Sequence, residues 1–199
     1  TTQLRLKEIL QKAGYRTAHL STEPQSELLG ADFTFPIGLN STVKIPLTAW
    51  DVTVHALVKA IARYANPHIM ISGTQGWIVP LNRSLHNALN MLHFLNGVQP
   101  DGIICAINPN DTPEVIRQNV QAVQSITKAG LLFYTVTPWE RTLHQTGTGN
   151  KVMVKNLLSG ENLQQRIAYY TDVLQAPIVN IKDENCDQQV VQIIENFFS

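Results

Sequence analysis

Apolar positions recur along this chain with two periods, and the switches between them mark its elements. Leu4, Leu6, Ile9, Leu10 and Ala13 fall on one helical stripe, which Gly14 is suited to close. Residues 15–20 then read as a strand, and Ser21-Thr22-Glu23 as the loop after it. Residues 24–30 read as a short helix and residues 31–46, with two prolines, as irregular chain. Trp50, Val54, Leu57, Val58, Ile61 and Ala62 share the face of a helix that opens at residue 47 or 48 and stops at Asn66-Pro67. The uncharged run 68–71 breaks abruptly into Ser72-Gly73-Thr74-Gln75-Gly76-Trp77. A buried parallel strand has this form where it opens into a loop at the carboxyl edge of a sheet.

The second half repeats the alternation. Ser84 is placed to cap a helix over 85–95, closed by Asn96-Gly97, and a strand follows over 102–107. Asp111 or Thr112 caps the next helix, Pro113 suits its first position, and Gly130 ends it. Residues 131–136 form another strand. Residues 140–151 read as a polar, Gly-rich loop, expected to be mobile and lid-like, and residues 152–155 as a short edge strand. A helix over 162–174, a strand over 177–181 and a helix over 186–198 complete the chain. Strands and helices alternating at this spacing predict an α/β fold, a mostly parallel sheet with helices on both faces in three Rossmann-like layers, built as one domain over 1–199.

Composition narrows the function classes. Charged residues make up only 15% of the 199, and they cancel to a net charge of zero. Nothing resembles the basic footprint of a nucleic-acid or anionic-membrane surface. No apolar run approaches the roughly 20 residues that span a bilayer, and the first residues lack the shape of a signal peptide. Cys105 and Cys186 are far apart and form no metal spacing, which fits a reduced, cytoplasmic protein.

Four loops follow four strands, and in one parallel sheet all four lie on one edge. They are residues 21–23, 72–77, 108–111 and 137–139. Gly73 and Gly76 flank Thr74-Gln75, so backbone there can approach a ligand closely and present N–H groups to an anion. A tight turn is the plain alternative. Asn108 opens the third loop. Asp111 has the chemistry to hold a ribose hydroxyl or a metal-bound water, or simply to cap a helix. Glu23 has that of a base or metal contact, or of a solvated loop acid. Asp51 and His55, four apart, share a helix face and suit an Asp–His pair, half a metal site or a plain surface pair; His86 and His93, seven apart, also share a face. No acid or cysteine completes a zinc set around them, so no metal is expected. Residues 147–151 lack phosphate-loop spacing, and no G-x-S-x-G elbow occurs.

Two segments carry a family resemblance. Gly73-Thr74-Gln75-Gly76 follows a strand, and Gly97-Val98-Gln99-Pro100-Asp101 leads from a helix into the strand that ends at Asn108-Pro109. In this pattern residues 67–109 resemble the bacterial P-loop-like uncharacterised-domain proteins that include D-glutamate N-acetyltransferases. The Gln-Pro-Asp junction is its most specific piece. The resemblance implies a P-loop-NTPase-like fold of the dethiobiotin-synthetase type, and allows a branch tied to peptide maturation. That family usually carries an acid just before the Gly loop. Here Ser72-Gly73 stand there, which argues against acid-dependent chemistry at that point. The resemblance also likens Thr1-Thr2-Gln3-Leu4 to the residues just after a G-K-[ST] motif. On that reading the first strand and phosphate loop are absent, and the chain is the C-terminal part of a longer protein. The open slot would then be filled by the missing N-terminal region or by a homodimer.

Two functional expectations follow. The first is a domain that binds a small nucleotide or CoA-type ligand through Glu23, Gly73, Thr74, Gln75, Gly76, Asn108 and Asp111, as a ligase or acyltransferase on a small carboxylate or amine. Its cofactor would be ATP with magnesium or acetyl-CoA, in the full-length protein. The second is a non-catalytic module of a peptide-maturation or regulatory assembly. The sequence singles out no catalytic base.

Overall fold

The computed structural model describes residues 2–37, 45–74, 78–79, 88–145 and 151–199. It is an α/β fold with parallel strand pairs flanked by helices, and its contacts group into two units. The first comprises residues 1–102 and 119–130, the second 103–118 and 131–199.

In the first unit, β1 (Thr17–Ser21) lies between β2 (Phe33–Thr34) and β3 (Ile69–Gly73), and both pairings are parallel. The β1–β3 register runs from Thr17↔Ile69 to Ser21↔Gly73, so the two strands stop at the same level. Side chains alternate across β1. Ala18 and Leu20 join Trp50, Val54, Ile61, Phe35 and Phe94 in a core cluster, which places α2 (Trp50–Ala65) and α3 (Ala88–Val98) on that face. His19, on the other face, bonds to Gln3 of α1 (Thr2–Lys12). The core is tight: the Phe35 and Trp50 rings meet edge to face at 5.5 Å. Each fully buried aromatic or aliphatic side chain there contributes about 1.5–3 kcal/mol.

The second unit carries a sheet of order β4-β5-β8: β4 (Gly102–Ile107), β5 (Gly130–Val136) and β8 (Ile178–Val179), with β5 and β8 parallel. Residues 132–136 of β5 are buried without a break, as in a strand covered on both faces. α4 (Pro113–Thr127) runs from the second unit into the first, and α5 (Gly160–Leu174) and α6 (Asp187–Phe198) belong to the second. Ser159 caps α5 by accepting from the Asn162 N–H.

The structure corrects the sequence reading at three places. Residues 140–151 are not a simple loop. β6 (Trp139–Gln145) pairs antiparallel with β7 (Lys151–Leu157), from Trp139↔Leu157 to Gln145↔Lys151. Residues 146–150, with the glycines that dominated that reading, lie outside the described residues. Residues 24–30 contain only a 3-10 turn, Ser26–Leu29, closed by Gly30 at φ 103°. Finally, Asn96-Gly97 do not end α3, which continues to Val98, and Gln99 takes the left-handed φ of 50°. Gly97 serves packing. A Cβ there would lie 2.6 Å from the Val54 Cβ and 2.8 Å from the Asp51 carbonyl oxygen, so its hydrogen lets α3 press against α2.

Gly97→Ala is therefore expected to destabilise the fold by about 1–3 kcal/mol, the range for overpacking. Gly160→Ala, in open space at the start of α5, is expected to be neutral or stabilising by up to about 1 kcal/mol. Denaturant midpoints of the two variants test the contrast. Equal midpoints would contradict the assigned role of Gly97.

Candidate functional site

The carboxyl edge of the first unit brings three segments to one point. β1 ends at Ser21 and β3 at Gly73, side by side. The Thr22 hydroxyl donates to the Gly73 carbonyl at 3.2 Å and ties the two exits together. The first turn of α1 lies over the same glycine. A Cβ on Gly73 would fall 1.8 Å from the Gln3 Nε2, so only a glycine leaves room for that side chain where it lies. Gln3 Oε1 accepts from His19 Nε2 at 2.8 Å, leaving Nδ1 as an acceptor; it is buried and has no partner among the described residues. Burial, aided by the Lys7 ammonium, lowers the imidazole pKa and keeps the ring neutral. Lys7 is itself held by Asp32 at 2.7 Å.

The first turn of α1 holds no acidic residue. Of the residues singled out from sequence, Gly73 ends β3 and Thr74, half-buried, follows it. Glu23 is half-buried just beyond Thr22; its N–H donates to the Ser21 hydroxyl at 3.2 Å and its carbonyl accepts from Ser26. Gln75 and Gly76 lie outside the described residues. Buried Asn119 on α4 was not singled out, yet its Oδ1 accepts from the backbone N–H groups of Ile78 (2.7 Å) and Val79 (2.8 Å). A lone amide on the apolar stripe of that helix was its one sequence signal.

Asn108 and Asp111 belong to the second unit and meet there, in a loop that fastens itself. The Asn108 N–H donates to Asp111 Oδ2 at 2.6 Å, and the Asn108 side-chain amide does so at 3.1 Å. The Tyr170 hydroxyl places its one proton among the carbonyls of Asp111 (2.6 Å), Pro109 (3.0 Å) and Asn108 (3.3 Å). Burial and the Asp111 carboxylate push the Tyr170 pKa up to about 12, so it remains a donor. The loop borders an open cleft of about 390 Å3 with Arg166 and Tyr169 of α5. Nearby, burial pushes the Cys105 thiol up to about 12, with Asp111 adding to it, so it stays protonated and a poor nucleophile near neutral pH.

An Asp–His pair does form at Asp51, though not with the His55 that helical spacing suggests. Asp51 instead bonds His93 Nδ1 through Oδ1 at 2.8 Å and accepts from Asn96 Nδ2 at 2.6 Å. The approach of α3 to α2 over Gly97 makes both bonds reachable. His86 lies outside the described residues. Partial burial works to raise the Asp51 carboxyl, but the hydrogen bonds from Asn96 and His93 outweigh it and hold it below its ordinary value. A depressed carboxylate stabilises the fold above the unfolded pKa and loses that contribution as pH falls through the folded one.

Asp51→Asn is expected to lower stability at pH 7 by about 0.5–1 kcal/mol, since solvent screens a pair 34% and 38% exposed. The gap to the parent should close below about pH 4. A gap that widens on acidification would contradict the assignment. Asn119→Ala should cost about 1–3 kcal/mol for buried donors left unsatisfied and speed amide exchange at Ile78 and Val79. Unchanged exchange there would show that Asn119 does not hold the segment.

No protein-family model matches the chain, and no curated protein matches it. Solved structures do. A crystal structure of a DUF1611 family protein from Anabaena variabilis overlaps it with a TM-score of 0.62 at 16% sequence identity, covering 98% of this chain and 53% of that one. That likeness shows the fold alone, and the chain spans about half the length of its counterpart. A nucleotide-binding protein from Archaeoglobus fulgidus, solved in complex with ADP, overlaps with a TM-score of 0.48 at 9% identity, covering 98% of this chain and 78% of that one. This weaker overlap carries no functional argument.

Proposed function

We propose that this chain is the ligand-binding part of a P-loop-like enzyme. It takes a phosphate-bearing small molecule, a nucleotide or a CoA-type ligand, at the carboxyl edge of its first unit. One observation carries the reading: the Gln3 side chain, from the acid-free first turn of α1, lies on the glycine that ends β3. On this reading a ligand phosphate displaces the Gln3 side chain from Gly73 and takes backbone N–H contacts there and at the start of α1. Gly73 and Thr74, with Gln75 and Gly76 beyond them, supply backbone contacts, and Glu23 borders the site. The self-fastened Asn108–Asp111 loop belongs to the second unit. The chemistry this reading favours is ligation or acyl transfer to a small carboxylate or amine, with ATP and magnesium or acetyl-CoA as co-substrate.

Thermal denaturation with ATP–Mg, GTP and acetyl-CoA tests the reading. At 100 times its Kd a ligand adds about 2.7 kcal/mol, which for a chain of this size raises Tm by about 5–10 °C. No shift with any of the three would end the proposal. Gly73→Ala should displace the flexible Gln3 side chain at small cost in stability while weakening ligand binding about tenfold or more. An undiminished shift in that variant would move the site elsewhere.

A further inference from the structure

The imidazole of His19 is buried in the first sheet, and the one side chain bonded to its Nε2 is displaceable. The β1–β3 register sets His19 beside Ile71 and Ser21 beside Gly73, on the face that α1 covers. His19 is only 1% exposed. Its backbone N–H donates to Asp32 Oδ2 at 2.9 Å and its carbonyl accepts from the Asp32 N–H at 3.2 Å, so its backbone is fastened at two points. The Nε2–H therefore reaches one place, where Gln3 Oε1 accepts it at 2.8 Å. That place adjoins Gly73. A Cβ on the glycine would lie 1.8 Å from Gln3 Nε2, 2.1 Å from Cδ and 2.7 Å from Oε1, so the whole carboxamide fills the space the glycine leaves open.

The two partners are constrained very differently. Gln3 is half-buried, and its hydrogen bond to His19 is the one that holds its side chain among the described residues. A single bond between neutral groups stabilises by no more than the ordering of a glutamine side chain costs. Gln3 can therefore leave. His19 cannot, and a buried N–H left without an acceptor is strongly unfavourable. Whatever displaces the carboxamide has to bring an oxygen to the position of Oε1. An ionised oxygen makes the shorter and stronger bond there. Nδ1 is buried without a partner among the described residues, so nothing there receives a second N–H, and the ring acts as a neutral donor.

We propose that the Gln3 carboxamide is a built-in stand-in for the ligand, and that His19 is a ligand-binding residue. A phosphate oxygen of the ligand takes the position of Gln3 Oε1 and accepts from His19 Nε2–H. The edge then has two states, one closed with His19 bonded to Gln3 and one open with His19 bonded to the ligand. Both roles rest on the proposed binding of a phosphate-bearing molecule at this edge. They add to it a donor within the sheet and an internal competitor. The competitor weakens apparent affinity by the fraction of molecules that are closed.

Dissociation constants of ATP–Mg, GTP and acetyl-CoA for the parent, Gln3→Ala and Gln3→Glu test these roles, together with the 1H–15N signal of His19 Nε2. Alanine and glutamate both suit the first turn of a helix, so both variants should fold. Gln3→Ala removes the competitor and is expected to bind the parent's ligand about three- to tenfold more tightly. Gln3→Glu keeps the shape, bonds His19 more strongly and repels an anion, and is expected to bind about tenfold or more weakly. The Nε2 signal should move when the parent binds its ligand. In Gln3→Ala it should be protected from exchange with water only while the ligand is present. A parent that binds one of the three compounds, with Gln3→Ala binding it no more tightly or with the Nε2 signal unmoved, would overturn the roles of Gln3 and His19 and leave the ligand reading standing. A parent that binds none of the three would end that reading and these roles with it.

Discussion

The parallel ladder between β1 and β3 is the constraint on which the rest of the first unit depends. Its register ends both strands at one level, Ser21 beside Gly73. Only with that alignment does the Thr22 hydroxyl reach the Gly73 carbonyl, beside the glycine that the Gln3 side chain covers. The ladder also sets what lies on each face. The stripe of Ala18 and Leu20 gathers α2 and α3, and His19 gathers α1 through Gln3. A slip of one residue would exchange the two sets and bury His19 in the apolar cluster.

The two loops that follow β1/β3 and β4 differ in how their polar groups are used. At Asn108–Asp111 the carboxylate accepts from two N–H groups of Asn108, and the loop carbonyls surround the Tyr170 proton. Such groups are committed to shape, and a ligand would have to break them. At Gly73 the groups tied up are a carbonyl and a threonine hydroxyl, and the Gln3 side chain lies over the glycine. Both loops looked alike as strings of small polar residues.

Periodicity made the α/β class legible, together with the placement of most helices and strands, because buried strands and amphipathic helices write their burial directly into residue order. What escaped it was set by contacts distant in sequence. Gly97 has the look of a helix terminator, yet its role is fixed by Val54, which no local pattern reveals. Asp51 was paired with His55 by helical spacing, whereas the crossing of α2 and α3 gives it His93 and Asn96. The β6–β7 pairing escaped because the glycines between the two strands dominated the local pattern. Gly73 and Thr74 could be singled out because an apolar run stops there. Gln3 could not, since its importance lies in what it covers.

The most direct test of the ligand edge is an NMR titration of backbone amides with ATP–Mg. The account predicts saturable shifts at Gln3, Leu4, Gly73 and Thr74, with smaller ones at Thr22 and Glu23. Shifts confined to residues 109–113 and the α5 residues Arg166 and Tyr169, or none at any concentration, would contradict it.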